Sequence, residues 1–319
     1  MLDIKNEVLI AENRIRTYIR ETPLDFSVPL SKITDVHIYL KCENLQYTGA
    51  FKIRGAFNKL LSLTPSQRAK GIVTASSGNH GAAIAFGLNK LKIPGIVFVP
   101  ENTSPTKVDN IRNYKVPLQF YATDCMQTEM YAMDYANKHN MIYVSPYNDP
   151  EVIAGQGTIA LEITRQLDTV DVVLVPIGGG GLIAGIAGYI KSISPKTKII
   201  GCLPENSPVM SESIKAGKIV EMKTLPTLSD ATAGGIEPNS ITFDICKQFV
   251  DDYLLVSEQE IKDAILTLIK TQHFLIEGAA GVALAALLKN TESFQNKNVV
   301  VVLSGANIGL DTLKTVLKS

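Results

Sequence analysis

The residue whose setting promises chemistry is Lys52, in the run Thr48-Gly49-Ala50-Phe51-Lys52-Ile53-Arg54-Gly55. Phe51, Ile53 and the apolar residues Ala56, Phe57, Leu60 and Leu61 surround its amine with groups that desolvate it and favour the neutral, nucleophilic form. Such an amine condenses with a carbonyl to an imine. A surface lysine also lays its stem over an apolar face for packing alone. Lys52 is read as chemical because two further loops are suited to holding an anionic group beside it.

The first loop, Gly178-Gly179-Gly180-Gly181, follows an apolar strand-like run and opens a helical one, so bare amides converge on an anion with the helix dipole behind them. Four successive glycines lose backbone entropy on folding that a plain turn does not require. The same stretch reads G-x-G-x-x-A through Gly179, Gly181 and Ala184, with Glu205 at the distance of a ribose-binding acid, so a dinucleotide fold is the first rival. The second loop, Ser76-Ser77-Gly78-Asn79-His80-Gly81, offers hydroxyls, an amide and backbone N–H groups suited to a substrate carboxylate. Ser and Asn at a helix start also serve as plain caps. His80 reads as a structural hydrogen-bonding residue, since nothing marks a nucleophile for it to activate. Glu277, ahead of a strongly apolar helix, is read as facing the site, whereas Asp230 and Glu237, flanking Gly234-Gly235, read equally as turn acids and as substrate contacts.

These loops belong to a chain of 319 residues that is 45% hydrophobic, enough for a substantial core in two lobes. Its 31 basic and 31 acidic residues cancel without a dense basic cluster, which argues against nucleic acid and for a small-molecule partner. Cys42, Cys125, Cys202 and Cys246 are widely spaced and form no C-x-x-C pair, so all four read as packing residues in a reducing compartment. The start, Met1-Leu2-Asp3-Ile4-Lys5-Asn6-Glu7, carries no signal or transit pattern, and a cytoplasmic location is expected. The apolar stretch from Val172 to Ile190 is broken by Pro176 and glycines into strand, loop and helix, so no membrane role is expected.

Apolar runs feed Gly/Ser-rich turns three times: Gly71–Ala75 into Ser76–Gly81, Val170–Ile177 into Gly178–Gly181, and Val299–Leu303 into Ser304–Asn307. Further strands are expected at Ile96–Val99, Leu118–Tyr121, Ile142–Val144 and Lys198–Cys202, with helices at Ala82–Leu91 and Gln127–His139. This alternation implies an α/β fold with parallel sheets and sites at the carboxyl ends of strands. Pro146-Tyr147-Asn148-Asp149-Pro150 reads as a connector.

Together these residues resemble the fold-type II pyridoxal-phosphate enzymes, in particular the catabolic serine/threonine dehydratases (threonine ammonia-lyases) and serine racemase. The match runs through nearly the whole chain. It is carried by K-x-E-x-x-Q-x-T-G-A-F-K-I-R-G-A around Lys52, S-S-G-N-H-G, V-I-A-G-Q-G-T from Val152, G-G-G-G-L and L-S-G-A-N. The resemblance implies a two-domain α/β fold like the tryptophan synthase β-subunit, with a discontinuous large domain of residues 1–71 and 149–319 and a small domain of residues 72–148. It implies pyridoxal 5'-phosphate carried on Lys52, with Phe51 packed on its ring, Asn79 on the ring 3'-oxygen, Gly178, Gly179, Gly180 and Gly181 around the phosphate, and Ser304 facing the ring nitrogen. A serine cannot hold that nitrogen protonated as a carboxylate would, which favours prompt loss of a β-substituent over transamination. Ser76, Ser77, Gly78, Asn79 and His80 would bind the substrate, and Ser77 would be a second acid–base group opposite Lys52.

The activity so implied is dehydration and deamination of L-threonine and L-serine to 2-oxobutanoate and pyruvate with release of ammonia. The alternatives are a serine racemase, a dehydratase of another β-hydroxy amino acid such as 3-hydroxyaspartate, and, more remotely, a nicotinamide-dependent oxidoreductase, in which Lys52 and Ser304 have no necessary role. Leu203 and Val209 stand where the racemase has acidic cation ligands, so no metal is expected there. Tyr147-Asn148-Asp149-Pro150 looks more like the dehydratases, and Ala231 replaces a glycine common in relatives. The Ser319 end implies no carboxyl-terminal regulatory domain and hence no feedback inhibition by isoleucine. By resemblance the chain is expected to form a homodimer or higher homo-oligomer.

Overall fold

The computed structural model describes residues 2–318; Met1 and Ser319, on which the expectations about the two ends of the chain rest, lie outside the described residues. A six-stranded sheet runs in the order β1 (Leu24–Phe26), β2 (His37–Lys41), β10 (Asn298–Val302), β7 (Val172–Pro176), β8 (Lys198–Pro204) and β9 (Asp252–Val256). A four-stranded sheet runs β5 (Leu118–Phe120), β4 (Gly95–Val99), β3 (Ile72–Ala75) and β6 (Ile142–Tyr143). All neighbours are parallel except β1 and β2. No helix among the described residues is long and apolar enough to cross a membrane.

The continuous apolar runs follow from burial of both sheet faces. In β10, Val299 and Val301 pack with Ile38, Leu40 and Leu174 beneath the helix Gly278–Lys289. Val300 and Val302 point the other way, into Val173, Val175, Ile183 and Ile186. Each such side chain contributes about 1.5–3 kcal/mol by leaving water. The strands β1, β2 and β9 are not announced by strong apolar runs; β1 and β9 are edge strands with exposed or half-buried positions, so their burial signal is weak.

The helix Lys52–Ser62 lies where the two sheets meet. Its Ile53, Phe57 and Leu60 share one cluster with Ile72 of β3 and with Ile84 and Leu88 of the helix Asn79–Leu91. On its other side Arg54, fully buried, donates to both oxygens of Glu43 and both of Glu162, and Lys41 donates to Glu162 at 2.6 Å. Burial alone would raise the Glu162 pKa, but Arg54 and then Lys41 outweigh it and bring it to about 2.

One expectation is corrected. Cys42, Cys202 and Cys246 are buried, but Cys125 is exposed, because it opens the helix Cys125–Lys138 at a solvent-facing first turn and not on the helix's packed face.

Candidate active site

Lys52 is the first residue of its helix, and backbone pairing fixes where that helix begins. Phe51 donates its N–H to the Ser304 carbonyl at 3.0 Å, Ala306 donates to the Gly49 carbonyl at 2.8 Å, and Ala50 forms an antiparallel bridge with Gly305. The lysine loop is thereby stitched to the carboxyl end of β10. Gly49 takes φ +70°, and a side chain there would meet the Asn307 amide at 2.8 Å.

The Lys52 amine donates to the Pro146 carbonyl at 2.8 Å and lies 5.3 Å from the Phe51 ring centroid. Burial lowers its pKa to about 8, against the opposing pull of Glu277 and Glu129. A substantial neutral fraction therefore exists just above neutral pH.

The Gly178–Gly181 run joins β7 to the helix Gly181–Ile193. Gly180 sits at φ +89°, and a Cβ at Gly179 would come within 2.5 Å of the Tyr147 ring, so the run requires glycine on steric grounds. The Gly178, Gly179 and Gly180 amides donate to no protein group among the described residues and stand at the positive end of the following helix. Because β10 pairs with β7, these amides and Ser304 share one edge of the sheet. Ser304 is 1% exposed and its hydroxyl has no partner among the described residues. Leaving a buried hydroxyl unpaired costs roughly 1–3 kcal/mol, the mark of a group set up for something that binds.

From the smaller sheet, β3 leads into Ser76–Gly81. Gly78 is the cap of the helix Asn79–Leu91 and no side chain caps it; Ser76 Oγ accepts from the Gly78 N–H at 3.3 Å, while Ser77 and Asn79 are not spent on local capping. Asn79 donates to both oxygens of Glu277, at 2.8 and 3.0 Å, and accepts from Asn307 at 2.7 Å. The donor expected for a ring oxygen thus rests on Glu277. Glu277 makes no capping bond of its own helix and is 4% exposed; burial raises its pKa to about 7, with Asn79 opposing. His80 is buried, with Nε2 3.3 Å from the Val144 carbonyl and Nδ1 unpartnered. Burial, then the nearby Lys52, lower its pKa to about 3, so the ring is neutral.

The segment Tyr143–Asn148 brings in groups that the sequence left undecided or passed over. Glu237 accepts from Ser145 Oγ at 3.1 Å and from Asn148 Nδ2 at 2.9 Å, and its N–H donates to Tyr147 Oη at 2.8 Å. Tyr143 donates to Glu129 at 2.9 Å. Glu129 had no sequence signal, since an acid on an amphipathic helix reads the same whether it faces solvent or a cleft. Asp230 pairs instead with Lys107 at 2.6 Å, between a loop of the larger lobe and a helix beside the smaller sheet.

A family model described as pyridoxal-phosphate dependent enzyme matches residues 15–305. The chain is 39% identical over 307 residues to an L-threonine ammonia-lyase of Thermotoga maritima, covering 96% of this chain and 76% of the relative. It is 40% identical over 313 residues to the catabolic L-threonine dehydratase of Escherichia coli K12, covering 98% and 95%. Among solved structures, the processed form of threonine deaminase isoform 2 from Solanum lycopersicum superposes with a TM-score of 0.94 at 32% identity, covering 99% of this chain and 86% of that one. Maize serine racemase gives a TM-score of 0.92 at 30% identity, covering 98% and 96%.

Proposed function

The chain belongs to the pyridoxal-phosphate-dependent enzyme family, and we propose that it deaminates L-threonine and L-serine, the β-hydroxyl leaving as water and one water re-entering as ammonia is released, giving 2-oxobutanoate and pyruvate. The observation that carries this reading is the half-buried Lys52 amine, held 2.8 Å from the Pro146 carbonyl on a loop bonded directly to Ser304.

The residues fit the cofactor. The unpartnered Gly178–Gly180 amides suit its phosphate, the orphaned Ser304 hydroxyl suits the ring nitrogen, and Phe51 offers an aromatic face beside Lys52, which would hold the aldehyde carbon. Asn79 would reach the ring oxygen by releasing one N–H from Glu277. When bound, the cofactor supplies a conjugated, electron-withdrawing ring that acidifies the α-proton of an attached amino acid.

The protein's part is to bind, orient and move protons. The Ser76–Gly81 loop, at the positive end of a helix, orients the substrate carboxylate through its amides and hydroxyls, with Ser77 facing the α-carbon. Lys52, whose amine burial shifts toward the neutral form, takes the α-proton. Neutral His80 adds no charge that would compete for it. The division into residues 72–148 and the two flanking segments is supported by the two-sheet arrangement, and we place the enzyme in the cytoplasm as a homodimer or larger assembly.

Assay of keto acid and ammonia from both amino acids tests the reading. We expect turnover that falls by about 10²- to 10⁴-fold in Lys52→Ala; no keto acid from either substrate, or an unimpaired variant, overturns it. Racemisation is the second reading, favoured by the likeness to maize serine racemase and by Ser77, whose hydroxyl caps no helix. Chiral chromatography of serine incubations decides, since D-serine without pyruvate would make racemisation the main activity.

A further inference from the structure

We propose that Glu129 and Glu237 set the substrate class of this site, admitting an amino acid whose β-substituent donates a hydrogen bond and turning away one that carries a second carboxylate. This deepens the lyase reading and rests on it for where the substrate lies.

The two carboxylates are fixed by the segment that touches the catalytic amine. Pro146 accepts from Lys52, its neighbours Ser145 and Asn148 grip the two oxygens of Glu237, and Tyr143 grips Glu129. Every one of these grips is a neutral donor, and neither carboxylate makes an ion pair among the described residues. Burial and the charge of Glu237 raise the Glu129 pKa, with the Tyr143 bond and Lys52 opposing, so the surroundings of Glu129 already resist negative charge. The cations nearby are committed elsewhere: Lys52 to the chemistry, and Lys107 to Asp230.

The α-carboxylate has its own place at the Ser76–Gly81 loop, where backbone donors and a helix N-terminus favour an anion. His80 Nδ1, on a 98%-buried ring beside that loop, is unpartnered and offers an acceptor, which again suits a donor and not a carboxylate. With the α-carboxylate so placed, Glu129 and Glu237 can face only the amine and β sides of the substrate. The β-hydroxyl of serine or threonine, and the β-ammonium of 2,3-diaminopropionate, can donate to them. The β-carboxylate of 3-hydroxyaspartate would face two carboxylates that make no ion pair, and among the described residues of this wall no cation other than Lys52 is at hand to receive it.

The test compares binding before turnover. L-Alanine and L-aspartate have no β-leaving group and differ by the carboxylate in question. Their dissociation constants for the holoenzyme are read from the change in cofactor absorbance. We expect L-aspartate to bind about 10- to 100-fold more weakly than L-alanine, and the ratio to shrink by about tenfold in Glu129→Gln and in Glu237→Gln. The kcat/KM ratio of L-serine to L-threo-3-hydroxyaspartate should move in parallel. Equal binding of the two ligands by the wild type, or a ratio unchanged in both variants, overturns the proposal. Should one variant fail to fold, the other variant and the wild-type ratio still decide. Failure to make keto acid from serine or threonine would sink the lyase reading, while the alanine-to-aspartate ratio would still stand or fall by itself.

Discussion

Two residues have titrations that can be checked separately from turnover. Lys52 has its pKa lowered to about 8, chiefly by burial, and only the neutral amine attacks an aldehyde. The rate at which cofactor-free protein takes up pyridoxal 5'-phosphate should therefore rise as pH passes through about 8 and level off above it, as followed by absorbance; a flat profile from pH 7 to 9 would contradict the assignment. Glu277, raised to about 7 by burial from the ordinary carboxyl value of about 4.5, keeps its proton in the folded state where the unfolded chain has lost it. Its contribution to stability is full below about pH 4.5 and is lost as pH climbs through 7, amounting to about 3 kcal/mol. His80, lowered to about 3, works in the opposite sense, its contribution being present above pH 6.5 and lost toward pH 3. Urea melts of the cofactor-free wild type should lose stability relative to Glu277→Gln between pH 4.5 and 7, because His80 contributes equally to both proteins and cancels in their difference.

The helix Lys52–Ser62 is positioned from both ends. Its start is bonded to the residues after β10, and Arg54, pointing away from the cleft, clamps it to Glu43 and Glu162. Arg54→Ala would leave Glu43 with only the Thr22 hydroxyl and Glu162 with Lys41, Arg16 and Thr22, so it should cost about 3–5 kcal/mol of unfolding free energy by urea titration, most of it from Glu43. Legibility at this scale was uneven. The strand–turn–helix units around Ser76 and Gly178 stood out because apolar runs, glycines and helical periodicity change at one point. Glu43, Glu162 and Arg54 gave no such sign, since charged residues on helices read as solvent-facing until their partners, as much as 146 residues away, are known.

At the scale of the molecule, the site is a seam between two parallel sheets, joined by Asn79 to Glu277, by Ser145 and Asn148 to Glu237, and by Lys107 to Asp230. A ligand that satisfies Gly178–Gly180 and Ser304 binds only the folded form, so removing pyridoxal 5'-phosphate should lower stability by about 2.7 kcal/mol relative to protein held at a hundredfold excess over Kd. Calorimetric scans with and without cofactor check this, and an unchanged Tm would mean that those groups do not receive it. From sequence alone came the α/β class, the strand-end loops and the expectation that Lys52 is the reactive amine and Gly178–Gly181 a phosphate cradle, because these depend on short-range patterns: periodicity, desolvating neighbours and backbone freedom. Only the tertiary structure decided that Asn79 is held by Glu277, that Cys125 faces solvent, and that Glu129 and Glu237 are both held by the segment that Lys52 touches at Pro146. Each of those outcomes depends on which distant segments pack together, and a carboxylate carries the same local signature on a wet surface as in a cleft.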